Sequence, residues 1–150
     1  MIKRLPATTK KVCFQTDPKI NAKIREQTVR SLKYYQDADK NTVASRIEEL
    51  NGEWDTERVL EVNAASVIIL SSLIGLLRCR GYFLLTGLVS LFLLKHALEG
   101  WCPPLPIIRG MGIRTSEEIN HEKTVLKMMR GDFLDVDNSV ESMLHAVEKQ

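Results

Sequence analysis

Two apolar runs in the middle of the chain constrain its fold more than any other feature. The first covers residues 62–77 and the second residues 82–98, and only the basic segment RCRG at residues 78–81 separates them. Each run approaches the roughly 20 residues that cross a bilayer core as an α-helix. The pattern predicts two membrane-spanning helices whose link is short enough to make them antiparallel.

Buried helices of a water-soluble domain are the alternative explanation for these runs. A soluble helix carries a polar face at a period of 3.6 residues. In residues 67–77 only Ser71, Ser72 and Gly75 are not strongly apolar, and these do not make a polar face. Most strongly apolar residues lie in this central part, so the charged flanks have little with which to cover two such helices. Length and hydropathy therefore favour the membrane interpretation.

Small residues recur at helix-packing spacing in both runs. Ser71 lies four residues before Gly75, and Thr86 lies four residues before Ser90. In lipid, helices associate through close backbone approach at small side chains, because no hydrophobic force drives apolar helices together there. These four residues are the candidate helix-packing positions, either within a tight hairpin or between hairpins in an oligomer.

Residues suited to a membrane–water interface flank the runs. Trp54 and Arg58 precede the first run, and Lys95 and Trp101 close the second. Amphipathic rings and long cationic side chains prefer the headgroup level, so these four residues are the candidate interface positions. More Lys and Arg lie near the terminal ends of the two runs than in the link, which favours both termini in the cytoplasm, although Arg78 and Arg80 of the link weaken this preference.

The N-terminal flank predicts a basic tail and amphipathic helices. Residues 1–16 are basic and irregular, which is typical of a tail. Asp17 and Pro18 favour a helix start, and apolar residues then recur on one face to about residue 36. A second helical face begins at Val43 and runs to a bend at Gly52.

The C-terminal flank predicts a Pro/Gly turn and further helices. Prolines at positions 103, 104 and 106 predict an extended stretch to residue 108. Thr115 or Ser116 then begins a helix that ends at Arg130 before a glycine, and a last short helix covers residues 139–148.

These elements together predict an all-α membrane protein with amphipathic helical arms on both sides of a two-helix transmembrane hairpin. The three predicted segments are the N-terminal tail and helices at residues 1–53, the hairpin at residues 54–102, and the C-terminal turn and helices at residues 103–150.

Charge and cysteine usage exclude several classes of protein. The net charge is +2, with twelve Lys/Arg against nine Asp/Glu in residues 1–58 and six against nine in residues 99–150. This mild asymmetry suits a lipid surface or a protein partner better than nucleic acid. The three cysteines form no CxxC pair or zinc-type cluster, and no catalytic constellation is present, so we predict neither a metal site nor an enzyme.

Two side chains near the end of the second run are candidates for cofactor chemistry. Cys102 could carry a persulfide, exchange electrons or bind haem as a thiolate, with Lys95, His96 and Arg109 as the nearest basic groups. The alternative is a small interfacial residue in a turn. His96, as an ionisable group at the membrane edge, could contact haem or a quinone headgroup, although one histidine supplies a single axial ligand.

The runs GWCPPLPIIRGMGIRTSEEI at residues 100–119 and KMMRGDF at residues 127–133 resemble the YgaP-like transmembrane domain family. This family is a two-span inner-membrane domain of unknown function whose second span ends in a Cys-Pro turn, matched here by Cys102. The resemblance implies a bacterial inner membrane protein. The resemblance covers about residues 41–133. Some members carry a rhodanese sulfurtransferase domain, but this chain has no rhodanese active-site loop, so the resemblance implies architecture and no sulfur-transfer activity.

The sequence therefore predicts a small membrane scaffold or accessory subunit without a required cofactor. Its expected partners are the lipid bilayer and either further copies of itself or a larger membrane complex. A thiol-based carrier using Cys102, or a haem or quinone site near His96, are the alternatives.

Overall fold

The computed structural model describes residues 5–134, 136–137 and 139–148, and these form eight α-helices and no strand. The prediction of an all-helical chain is confirmed. In chain order the helices are α1 (Lys11–Gln15), α2 (Pro18–Tyr35), α3 (Lys40–Gly52), α4 (Thr56–Leu77), α5 (Tyr82–Glu99), α6 (Leu105–Gly110), α7 (Ser116–Arg130) and α8 (Val140–Glu148).

Helices α4 and α5 correspond to the two apolar runs. The Asp55 carboxylate caps α4 by accepting the Arg58 backbone N–H at 2.7 Å. By length and composition, two helical stretches can cross a membrane, one ending at Leu77 and the other at Glu99. Only 17% of the most apolar window in the first and 6% in the second is buried. The described chain therefore leaves most of this apolar surface uncovered.

Helices α4 and α5 pack against each other through small and polar side chains. The hydroxyl oxygens of Ser71 and Thr86 lie 2.7 Å apart, and either group can donate the hydrogen bond. At Gly75 a Cβ atom would lie 3.1 Å from the ring of Phe83, so the absence of a side chain admits this ring. Ser71, Gly75 and Thr86 thus place small or polar groups at the contact, and the ring of Phe83 fills the space beside Gly75.

The chain divides into two compact units. The first combines Met1–Asn21 with Trp54–Ser116, and the second combines Ala22–Glu53 with Glu117–Gln150. Each has an apolar core of its own. In the first unit the core is Val12, Leu60, Cys102, Leu105 and Ile108, and in the second it is Val43, Ile47, Leu50, Ile119 and Leu126.

The second unit holds a buried carboxylate beside its apolar core. Glu122 is fully buried on α7 and accepts a 2.7 Å hydrogen bond from the Ser31 hydroxyl. The guanidinium of Arg46 on α3 lies 3.3 Å from the same oxygen. Burial lowers the pKa of Arg46, but the hydrogen bond to Glu49 and the charge and hydrogen bond of Glu122 together keep this pKa above its ordinary value. Because a buried charge is costly without a partner, this arrangement fixes α2, α3 and α7 in one register.

Several predicted helix boundaries are confirmed. Asp17 accepts the Lys19 backbone N–H at 2.7 Å, immediately before α2 begins at Pro18. Helix α3 ends at Gly52 and α4 begins at Thr56, so the expected bend is present. Helix α7 ends at Arg130, and the following glycine adopts a left-handed φ of 89°.

The prediction that residues 1–16 form an irregular tail is wrong for residues 11–15, which form α1. This helix is too short to be stable alone, but its Val12 is fully buried. The side chains of Lys11 and Gln15 also donate to the carbonyl oxygens of Ala97 and Glu99, both at 3.3 Å. Tertiary contacts with the end of α5 therefore stabilise a helix that local sequence does not indicate.

The extended stretch predicted as far as residue 108 is also wrong, because α6 begins at Leu105. Pro104 occupies the N-cap position and Pro106 lies in the first turn. Backbone N–H groups in the first turn have no intrahelical partner, so proline at these positions removes no hydrogen bond.

Candidate functional site

The candidate site is a pocket in the first unit, at the end of α5. Its volume is about 160 Å³, and α4, α5 and the segment that follows α5 supply its walls. The lining side chains are mostly apolar: Leu60, Asn63, Ala64, Val89, Phe92, Leu93, His96, Cys102, Pro103 and Pro104. The structure thus brings together His96 and Cys102, the two cofactor candidates of the sequence.

His96 is the most unusual side chain of this pocket. It is 5% exposed, and neither ring nitrogen has a hydrogen-bond partner among the described residues. Buried polar atoms are nearly always hydrogen-bonded, and an unsatisfied one costs about 1–3 kcal/mol. In the described part of the chain, Glu57 Oε2 is the only other buried side-chain atom in this condition. His96, at the pocket wall, therefore has hydrogen-bonding capacity that the described chain does not use.

The end of α5 is held tightly, which fixes the position of His96. Gly100 ends α5 with a left-handed φ of 79°, and its N–H donates to the His96 carbonyl oxygen at 2.8 Å. A Cβ atom at Gly100 would lie 2.4 Å from the backbone of Lys11, so only glycine fits. These contacts fix the C-cap of α5, four residues after His96.

The surroundings of Cys102 differ from those that a reactive thiol needs. Its side chain is 4% exposed and packs in the apolar core with Leu60 and Leu105. This burial raises the pKa of the Cys102 thiol above its ordinary value. A reactive cysteine needs an accessible, electropositive setting that lowers the thiol pKa. The geometry therefore favours a core role for Cys102 over that of a nucleophile or sulfur carrier.

The other basic groups expected near Cys102 are engaged elsewhere. The ammonium of Lys95 lies 4.6 Å from the ring centroid of Trp101, at cation–π distance. Arg109 is fully buried and donates to the Thr16 hydroxyl at 3.2 Å, the Ile113 carbonyl at 2.9 Å and the Asn21 side-chain oxygen at 2.9 Å. These interactions tie α6 to the N-terminal segment.

The structural role of Arg109 is not predicted by its sequence context alone. An arginine within the otherwise apolar stretch PLPIIRGMGI is the signal that could have indicated one, because a charged residue in such a stretch needs buried acceptors. Its partners, Thr16 and Asn21, are more than eighty residues away in sequence, and no local pattern identifies them.

The remaining candidate positions are distributed along the two apolar helices. Ser71 and Gly75 are buried against α5 and Thr86 is half-buried, whereas Ser90 is exposed and donates to the Thr86 carbonyl oxygen of its own helix at 2.8 Å. At the other end, the Arg58 guanidinium lies 5.9 Å from the Trp54 ring centroid. Both tryptophans of the chain thus pair with a cation next to an apolar helix.

The described residues contain no group of three or more His, Cys, Asp or Glu side chains that could hold a metal ion. The three cysteines are free thiols.

Comparison of the chain with protein-family models, with curated proteins and with solved structures finds no match.

Proposed function

We propose that this chain is an integral membrane protein in which α4 and α5 form a transmembrane hairpin. Its role is that of a scaffold or accessory subunit, which assembles with itself or with a larger membrane complex. The observation that carries the proposal is the exposed apolar surface of these helices, of whose most apolar windows only 17% and 6% are buried. Contiguous apolar surface of this extent is typical of contact with lipid or with another membrane helix.

Helix length supports the membrane placement. Helix α4 has 22 residues and α5 has 18, which correspond to about 33 Å and 27 Å. The hydrocarbon core of a bilayer is about 30 Å thick. In an antiparallel hairpin, the Trp54–Arg58 pair at the start of α4 and the Lys95–Trp101 pair at the end of α5 lie at the same interface. Tryptophan and long cationic side chains are stable there.

The second unit supports the assembly part of the proposal. Helix α8 leaves four apolar side chains exposed: Val140, Met143, Leu144 and Val147. An apolar helix face that the chain itself does not cover is typical of a binding surface. A scaffold with a lipid-embedded hairpin and such a helix can bind a neighbouring membrane subunit through either surface.

The finer placement rests on the sequence alone. The bacterial inner membrane, the cytoplasmic position of both termini and the resemblance to the YgaP-like transmembrane domain family stay predictions.

Two further candidate functions are less well supported by the geometry. A thiol carrier would use Cys102, but the burial of this thiol raises its pKa. A haem site at His96 would need far more room than a pocket of about 160 Å³. We propose no catalytic activity.

The test is extraction in mild detergent, followed by measurement of the protein mass in the complex and of the ratio of any co-purifying protein. We expect the full chain to stay in membranes after an alkaline carbonate wash and to purify as an oligomer or at fixed ratio with a membrane subunit. Leu144→Glu should lower the assembled fraction and leave membrane retention unchanged, whereas Glu148→Gln on the same helix should change neither. A chain that remains a compact monomer in aqueous buffer without detergent would contradict the proposal.

A further inference from the structure

We propose that the pocket at His96 binds the ring of a lipid-soluble quinone or of its quinol form, with the apolar tail of that molecule in the bilayer. This inference rests on the proposed membrane placement of α4 and α5. It concerns binding alone, and no electron transfer to the chain is required.

The size of the pocket selects a single ring. A dry protein cavity of about 150 Å³ accommodates benzene, and the His96 pocket measures about 160 Å³. A single six-membered ring therefore fits, whereas a porphyrin does not. The apolar lining from Leu60, Phe92 and Leu93 matches the faces of such a ring.

The unpartnered imidazole matches the two oxidation states of this ring. An unpaired charge is costly to bury, so His96 is best described as the neutral form, with one N–H donor and one acceptor nitrogen. Both nitrogens are buried in the unliganded chain, so the imidazole must turn toward the ligand on binding. Its N–H would then donate to a quinone carbonyl oxygen, or its other nitrogen accept from a quinol hydroxyl group. Binding would satisfy an atom that otherwise remains buried without a hydrogen bond.

The other polar side chains of the pocket are poor hydrogen-bond partners for a ligand. The side-chain nitrogen of Asn63 donates to the Val59 carbonyl oxygen at 2.7 Å, within its own helix. The buried Cys102 thiol is a weak donor. His96 is thus the group that would orient a bound ring.

The position of the pocket along α5 suits a molecule with a polar ring and an apolar tail. His96 directly follows Lys95, whose ammonium lies over Trp101, so it belongs to the interfacial end of the helix. Val89, Phe92 and Leu93 continue the lining from His96 toward the middle of α5. A tail that follows these residues enters the region that we assign to lipid.

The experiment uses the full chain in lipid nanodiscs, with ¹⁵N-labelled histidine and decylubiquinone as the probe. The chain has three histidines, so His96→Gln assigns the His96 signals by difference. We expect a saturable shift of the His96 ring nitrogens, with the His121 and His145 signals unchanged. Decylbenzene, which has a ring and a tail but no oxygen, should shift the His96 signals by less than a tenth as much.

A pair of adjacent alanines provides a control that keeps His96 intact. Ala64 lines the pocket, and Ala65 is exposed on the same turn of α4. Ala64→Phe should fill the pocket and weaken decylubiquinone binding by at least roughly ten-fold, as expected when a ring of similar size already occupies the site. Ala65→Phe should leave the dissociation constant within about two-fold, since its side chain faces away from the pocket.

Three results would overturn the inference. These are unchanged His96 signals at saturating decylubiquinone, equal shifts with decylbenzene, or equal binding by the two phenylalanine variants. All three leave the proposed membrane function intact, provided that the chain is inserted in the nanodisc. Failure of the chain to insert would instead contradict the proposed function, and the ligand inference with it.

Discussion

Helix α7 of the second unit and the middle of helix α4 of the first unit differ in which side chains they bury. In the second unit, Leu126 is fully buried on α7, while Met128 two residues later is 61% exposed. In the first unit, Ser71 is 3% exposed on α4, while Leu76 five residues later is 73% exposed. Helix α7 thus buries a leucine, whereas the middle of α4 buries a serine and exposes leucines. This difference is what the proposed membrane placement of α4 and α5 predicts.

The largest difference between the units is expected for removal of a leucine side chain. Leu126→Ala leaves a cavity in a closed core and should lower the free energy of unfolding of the second unit by about 2.7–5 kcal/mol. Leu76→Ala removes an outward-facing side chain and leaves no cavity, so its effect should be below about 1 kcal/mol. Denaturant unfolding of the full chain in micelles, followed by circular dichroism, measures both. Equal losses would contradict the assignment of Leu76 to a lipid-facing position.

An added charge should also have a much larger effect in the first unit than in the second. Leu91, in the middle of α5, and Met128 on α7 are both 61% exposed. Leu91→Asp should oppose membrane insertion by about 2.5–3.5 kcal/mol, because an aspartate would enter the hydrocarbon core. Met128→Asp should change stability by less than about 0.5 kcal/mol in water. The fraction of chain retained in carbonate-washed membranes is the measurement, and retention of the Leu91→Asp variant would argue that α5 lies in water.

Two hydroxyl hydrogen bonds of equal length, one in each unit, allow a comparison in which smaller energy differences are expected. Ser31 donates to Glu122 at 2.7 Å in the second unit, and Ser71 and Thr86 interact at 2.7 Å in the first. Ser31→Ala should cost about 1.5–3 kcal/mol, since its acceptor is a buried carboxylate. Ser71→Ala should cost about 0.6 kcal/mol, the average found for side-chain hydrogen bonds between membrane helices. Unfolding midpoints in the same micelles give the order, and a larger loss at Ser71 would reverse the expected ranking.

The smallest effect is a dependence of α3 on pH. The Thr42 hydroxyl and the backbone N–H groups of Thr42 and Asn41 donate to the Asp39 carboxylate, and these bonds lower the pKa of Asp39 from 3.8. Its stabilising effect is therefore fully present above pH 3.8 and is lost as the pH falls through the lower pKa of the folded state. Asp39→Ala should remove this part of the acid sensitivity seen by circular dichroism, whereas Asp37→Ala, which caps no helix, should retain it.

Sequence patterns predicted those elements whose signals are local. Helices α4 and α5 follow from apolar run length, the α2 start follows from Asp17 and Pro18, and the α7 end follows from the glycine after Arg130. These features depend on composition and on capping groups within a few residues. They need no knowledge of the tertiary structure.

Elements that depend on distant contacts were missed. Helix α1 exists because Val12 is buried and because Lys11 donates to a carbonyl oxygen 86 residues later. Helix α6 was excluded by its prolines, although their first-turn positions are compatible with a helix. The same limit applies to the site: the sequence named His96 and Cys102 as separate candidates, but their shared pocket and the unpartnered state of His96 depend on how α4 and α5 pack.

The most direct test of the transmembrane hairpin asks whether the exposed Cys79 of the link and the C-terminal helices lie on opposite sides of the membrane. It uses the full chain in sealed proteoliposomes of mixed orientation. A membrane-impermeant maleimide is added outside first, and a glutamate-specific protease follows, since the link contains no glutamate. Mass spectrometry then reads Cys79 labelling separately in intact and in cleaved chains. If α4 and α5 span the bilayer, chains with protected C-terminal helices carry the label and cleaved chains do not. Labelling of Cys79 in the cleaved chains would place the link and the C-terminal helices on one side and contradict the hairpin.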